Sequence, residues 1–161
     1  MASYFESRRL AFTPRQLFDV VADIERYPEF LEWFVAVRIR RRDGNVLEVD
    51  QVVAFKGLRT QFATRAVFDP PRGIDVTSRD PQFKRFHQHW TFVPAGAGHT
   101  IVEYSSALEP RSRIVRHAMR LLFDQPHFAR VMVDAFLRRA ETLYGARRDS
   151  DIARPSGDRP S

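Results

Sequence analysis

His87 and His89 stand two apart in a stretch that reads as a β-strand, so their imidazoles share one face, as metal ligands do. The apolar residues of that strand, Trp90 and Phe92 among them, occupy the other face. The histidines therefore belong to the outside of the sheet. The chain has no Cys, and no third ligand is evident at a defined spacing, so no metal site is expected.

General acid–base chemistry needs two ionisable groups facing one pocket. Glu25, Glu29 and Glu32 cluster near one another, but solvation of a helical face accounts for them. Asp134 falls beside the apolar stripe of the last helix rather than on it, and Ser105 and Ser106 have no His placed to activate them. With 7 Gly in all, none forms a phosphate-cradling loop. No catalytic residue is expected.

The elements that position these side chains follow from periodicity. Tyr4 to Phe12 reads as a strand. Thr13-Pro14-Arg15-Gln16 is a helix start with a capping box, and Leu17, Phe18, Val20 and Val21 give that helix its apolar face. Asp23 restarts a second short helix that Pro28 limits. From Trp33 to Leu108 the period becomes two. Val35, Val37 and Ile39 share a face, and so do Leu47, Val49, Gln51, Val53 and Phe55. Three more sets follow: Phe62, Thr64, Ala66 and Phe68; Ile74 and Val76; and Phe86, Gln88, Trp90 and Phe92. Val102, Tyr104, Ser106 and Leu108 complete the series. Asp43-Gly44-Asn45, Lys56-Gly57 and Asp69-Pro70-Pro71-Arg72-Gly73 supply turns. A helical stripe runs from Ile114 to Leu143, with Pro126 expected to kink or break it.

The order is strand, two short helices, six strands and a long helix. This predicts an α+β helix-grip fold, in which a seven-stranded curved antiparallel sheet and a long C-terminal helix enclose an apolar cavity. Residues 1–145 form one domain on this reading. Residues 146–161, rich in Arg, Asp, Ser and Pro, are expected to be a disordered tail.

Composition bounds the rest. The chain has 161 residues, 43% hydrophobic, with 14 Phe and a net charge of +6 carried almost entirely by Arg. Arg suits phosphate and carboxylate, so RNA, acidic lipid head groups and acidic proteins fit this surface, with no DNA partner expected. The sequence shows no signal-peptide core and no apolar run of about 18 residues, which predicts a cytoplasmic protein with at most peripheral contact with the inner membrane.

Four segments carry a family resemblance: Val21 to Leu31 with Trp33; Phe55-Lys56-Gly57-Leu58-Arg59 with Phe62, Thr64, Arg65 and Asp69-Pro70-Pro71; Phe83-Lys84 through Phe92; and Met132 to Phe136 with Arg139-Ala140 and Leu143-Tyr144-Gly145. Together they resemble the START-like (SRPBCC, polyketide cyclase/dehydrase) superfamily, in its coenzyme Q-binding and ribosome-association-toxin branch. The chain departs from that pattern at Glu32, Phe34, Phe86 and Gln88; a bulkier Gln88 on the inner face narrows the pocket.

The resemblance implies a non-enzymatic binder of ubiquinone or a related polyprenyl lipid, with no other cofactor, supporting respiration or quinone biosynthesis. It also implies two alternatives: a toxin that binds the large ribosomal subunit and blocks translation initiation, and a cyclase-like enzyme. The inward apolar residues Trp33, Phe55, Phe62, Phe83, Phe86, Trp90, Met132 and Phe136 are the candidate ligand contacts. Tyr27, Pro28 and Phe30 with the hairpin tip Lys56 and Leu58 are candidates for the lid or mouth. Monomer and dimer are equally compatible with the pattern.

Overall fold

A computed structural model describes residues 2–55, 57–122 and 127–145. Seven strands form one antiparallel sheet: β1 Ala2–Leu10, β2 Phe34–Asp43, β3 Val46–Phe55, β4 Leu58–Asp69, β5 Gly73–Thr77, β6 Phe83–Pro94 and β7 Thr100–Pro110. The spatial order is β1-β7-β6-β5-β4-β3-β2, a meander whose last strand is joined at the edge by the first. Tight turns make this possible. Gly44-Asn45 connects β2 to β3 with Gly44 at φ 57°, a left-handed conformation that glycine adopts without strain.

Between β1 and β2 lie α1, Pro14–Ala22, and a 3-10 helix, Ile24–Glu29. The capping box forms as the residue types require: the Gln16 amide donates to Thr13 Oγ1 at 3.2 Å, and the Thr13 amide donates to Gln16 Oε1 at 2.9 Å. The next start differs from expectation. Asp23 makes no side-chain cap, and Pro28 lies inside the 3-10 helix rather than ending it, because the tighter winding runs on to Glu29.

The C-terminal stripe forms two helices, α2 Arg113–Leu122 and α3 His127–Tyr144. Ser112 Oγ accepts from the Val115 amide at 3.3 Å and caps the first. Pro126 and the tail 146–161 lie outside the described residues.

On β2 the inward set is shifted. Val35 is exposed, while Phe34, Val37 and Ile39 are half-buried. A register irregularity between Phe34 and Ala36 explains this, since a bulge inverts the alternation at one point and turns Phe34 inward. The other alternations hold, with Leu47, Val49, Gln51 and Val53 buried on β3 and Val102, Tyr104, Ser106 and Leu108 on β7.

The helices cover the inner face unevenly. α3 packs against β1, β7 and α1, whereas α1 lies over β5 and β6. An aromatic group of Phe18, Phe92 and Trp90 fills the space under α1, with Phe18 and Phe92 edge to face at 6.0 Å. Phe136 of α3 sits 5.0 Å from Trp90, also edge to face. Burying a side chain of this size contributes roughly 1.5–3 kcal/mol, so this end anchors the fold. Among the described residues, the inner face toward β3 and β4 has no close helical cover.

Candidate functional site

Over that uncovered region lies a cavity of about 270 Å³. Trp33, Phe62, Phe83, Phe86, Trp90, Met132 and Phe136 all line it, so seven of the eight residues expected to face inward meet around one space. The side chain of Phe55 lies outside the described residues. Phe62, Phe83 and Phe86 form one wall, with Phe62 and Phe83 edge to face at 4.9 Å. Phe34, Val53, Ile74, Val76 and Leu108 complete much of the apolar lining. The period-two sets of the sequence already place the last four on these faces, though not among the candidate ligand contacts. Phe34 needed knowledge of the bulge.

The predicted mouth residues separate. Tyr27 lines the cavity, and its hydroxyl donates a short hydrogen bond to the Val21 carbonyl. Burial pushes its phenol well above the ordinary 10.0. Phe30 packs edge to face on Phe136 at 5.3 Å and outside the lining. Pro28 is exposed on the 3-10 helix, away from the opening, because the proline ring faces solvent there. Leu58, 43% exposed, reaches the cavity from the β3–β4 hairpin, and Val115 of α2 reaches it as well. Leu58 and Arg59 are the exposed members of the lining, so the cavity opens at this hairpin. Lys56, at the same tip, lies outside the described residues.

Four uncharged polar side chains interrupt the apolar lining: Gln51 and Thr64, both buried, and Thr60 and Gln88, both half-buried. Thr64 Oγ1 donates to Gln51 Oε1 at 3.4 Å, a long bond. Gln88 Nε2 donates to the Tyr104 hydroxyl at 2.9 Å across the β6–β7 pair. Burial pushes the Tyr104 phenol far above 10.0, so it stays protonated. Ser106 Oγ lies near that hydroxyl, but its geometry is too poor for a hydrogen bond, which leaves Gln88 as the partner that satisfies Tyr104.

No carboxylate or imidazole lines the cavity among the described residues; the ionisable side chains there are Tyr27 and the exposed Arg59. Of the acidic groups considered from the sequence, Glu32 is exposed and the other three are engaged elsewhere. Glu25 pairs with Arg42 at 3.7 Å, Glu29 with Arg26 and Arg139, each at 3.0 Å, and Asp134 with Arg8. The hydrogen bond from Arg26 holds the Glu29 carboxyl below its ordinary value.

On the other face of the sheet, His87 and His89 are at least partly exposed, as their alternation with Trp90 requires. Asp75 of β5 stands between them, its Oδ1 lying 2.5 Å from His87 Nε2 and 3.0 Å from His89 Nδ1. The sequence did not disclose this third group, since it comes from a different strand.

A curved antiparallel sheet gripped by a C-terminal helix over an apolar cavity defines a helix-grip, START-like protein. The chain belongs to the polyketide cyclase / dehydrase and lipid transport family, whose model matches residues 10–137. It is 32% identical to the ribosome association toxin RatA of Pseudomonas aeruginosa over 139 residues, covering 86% of this chain and 95% of that protein. It is 24% identical to the mitochondrial coenzyme Q-binding protein COQ10 homolog B of Xenopus laevis, over 88% of this chain and 59% of that one. Among solved structures, the Zhui aromatase/cyclase from Streptomyces sp. R1128 superposes with a TM-score of 0.74 at 17% identity, over 87% of this chain and 93% of that one. At that identity the likeness is one of fold. Among the described residues, no helix is long and apolar enough to cross a membrane.

Proposed function

We propose that this protein binds ubiquinone or a related polyprenyl lipid in its cavity and acts as a carrier rather than a catalyst. The observation that carries this reading is the lining itself: bulky apolar walls, four uncharged polar groups, and neither a carboxylate nor an imidazole among the described residues. A quinone ring needs flat apolar contact and hydrogen-bonding groups for its carbonyls, which Gln51, Thr64 and Gln88 offer. Among the described lining residues the Tyr27 phenol is held protonated on the Val21 carbonyl and no carboxylate or imidazole stands near it, so nothing there supports the proton transfers of a cyclisation.

Size supports a head-first arrangement. A cavity of about 270 Å³ stands at the small end of ligand sites, which span roughly 300–1,000 Å³. It accommodates a substituted ring and the start of a tail, and the remaining tail leaves between Leu58 and Val115. Each methylene that leaves water there contributes about 0.8 kcal/mol. The likeness to the Xenopus protein named for coenzyme Q binding supports the same ligand class.

Native mass spectrometry of the protein purified from its own host, followed by organic extraction, tests this. A stoichiometric quinone or polyprenyl species supports the reading. A protein that carries no lipid and takes up none when ubiquinone is added refutes it.

A second reading is association with the ribosome, through its large subunit, favoured by the 32% identity to a protein named for ribosome association. Arg38, Arg40, Arg41 and Arg42 form an exposed basic run on β2, although Asp50, Asp43 and Glu25 partly neutralise the last three. Co-sedimentation with large subunits that weakens steeply with salt is the expected outcome, because phosphate contacts release counterions. Binding indifferent to salt counts against it.

A further inference from the structure

We propose that Asp75, His87 and His89 form a binding site for a late first-row divalent cation, Zn²⁺ being the representative, on the outer face of the sheet. Strand geometry places the three together. His87 and His89, two apart on β6, project to one side, and the antiparallel β5–β6 register sets Asp75 opposite His89. One nitrogen of each imidazole and one oxygen of the carboxylate lie within 4.8 Å of one another. Both rings direct that nitrogen at the same carboxylate oxygen.

The donor set has the chemistry of such a site. Two neutral imidazoles and a carboxylate suit Zn²⁺, Cu²⁺, Ni²⁺ and Co²⁺, while Mg²⁺ and Ca²⁺ prefer oxygen alone. Metal–nitrogen and metal–oxygen bonds of about 2.0–2.2 Å require the donors to stand roughly 3.3–3.5 Å apart around a tetrahedral ion. The side chains are 46%, 43% and 41% exposed for His87, His89 and Asp75, so small rotations open the cluster to that spacing without disturbing the core. Three protein ligands leave the fourth position for water or for a donor from another molecule. The site is separated from the cavity by the thickness of the sheet, so it does not depend on the lipid reading.

Isothermal titration of the full chain with ZnCl₂ near neutral pH, with MgCl₂ as the control, decides the matter. One Zn²⁺ bound per chain, a rise in melting temperature with Zn²⁺ but not Mg²⁺, and a tetrahedral Co²⁺ absorption spectrum are the expected results. Asp75→Asn and His87→Ala should each lower the affinity by more than the roughly 10–100-fold typical of losing a supporting contact. Circular dichroism checks that both variants keep the fold. Absence of Zn²⁺ binding to the wild-type chain, or variants that bind as tightly as wild type, overturns the assignment.

Discussion

Gln88 Nε2 donates a 2.9 Å hydrogen bond to the Tyr104 hydroxyl, tying β6 to β7 beneath the cavity floor. The bond gives the fully buried phenol a polar partner, with Ser106 Oγ close by but not hydrogen-bonded to it. Gln88→Leu removes the partner and leaves the hydroxyl buried, a loss of about 1–3 kcal/mol. Adding Tyr104→Phe removes the orphan as well, so the double variant should recover most of the stability. Urea denaturation of the wild type, both single variants and the double variant measures the coupling. Additive losses would show that the pair is not coupled.

Alkaline pH should destabilise the fold through Tyr27 and Tyr104. Burial raises both phenols above the ordinary 10.0, so the unfolded chain releases their protons first. The stability these groups contribute is present below about pH 10 and falls above it, at about 1.4 kcal/mol per pH unit for each. Tyrosinate absorbance should reach the full amplitude of four tyrosines only as the protein unfolds. Full amplitude while the circular dichroism remains native would show that the phenols are accessible.

How much of this was legible in the sequence depends on which interactions are local. The capping box at Thr13 and Gln16 and the alternation of β3, β6 and β7 depend on near neighbours or on a fixed period, and the residues alone reveal them. The bulge at Phe34 is a mismatch between two strands and has no mark in either one, so period two alone turns Val35 inward and leaves Phe34 out. The 3-10 winding through Pro28 likewise answers to packing, with Tyr27 fixed by Phe34 and Phe136 at 5.4 and 5.2 Å. Five of the seven predicted cavity residues, Phe62, Phe86, Trp90, Met132 and Phe136, converge as inward members of regular strands or of α3, whereas Trp33 reaches the cavity from the turn before β2 and Phe83 through a register irregularity between Phe83 and Arg85. The role of Asp75 required the pairing of β5 with β6, which no local pattern supplies.

Filling the cavity should separate binding from stability. Val76 is half-buried and lines the cavity, so Val76→Phe adds apolar volume toward that space. The added apolar contact should hold the melting temperature at or above that of the wild type, since overpacking costs arise only in filled cores. Affinity for a short-tailed ubiquinone analogue, read by quenching of tryptophan fluorescence, should fall at least about tenfold, equivalent to about 1.4 kcal/mol. Undiminished affinity would place the ligand outside this cavity.

Arg139 of α3 holds the 3-10 helix in place, with its guanidinium 3.0 Å from Glu29 Oε2 and centred 5.3 Å from the Phe30 ring. Ile24 and Tyr27 of that helix line the cavity, so the contact couples α3 to one wall. Arg139→Ala removes the ion pair and the cation–π contact together, while Arg139→Lys keeps the charge and loses the planar fork. Hydrogen exchange should quicken at residues 24–31 in the alanine variant and less in the lysine variant, with the sheet amides unchanged. The same ordering should appear in the rate of quinone release, if the wall must loosen for the ligand to leave. Glu29, held below its ordinary value of 4.5 by Arg26 and Arg139, contributes only while ionised, so the wild type should approach the alanine variant as pH falls through that lowered value. Exchange at residues 24–31 that is identical in all three proteins at neutral pH would show that the wall is fixed by its apolar packing alone.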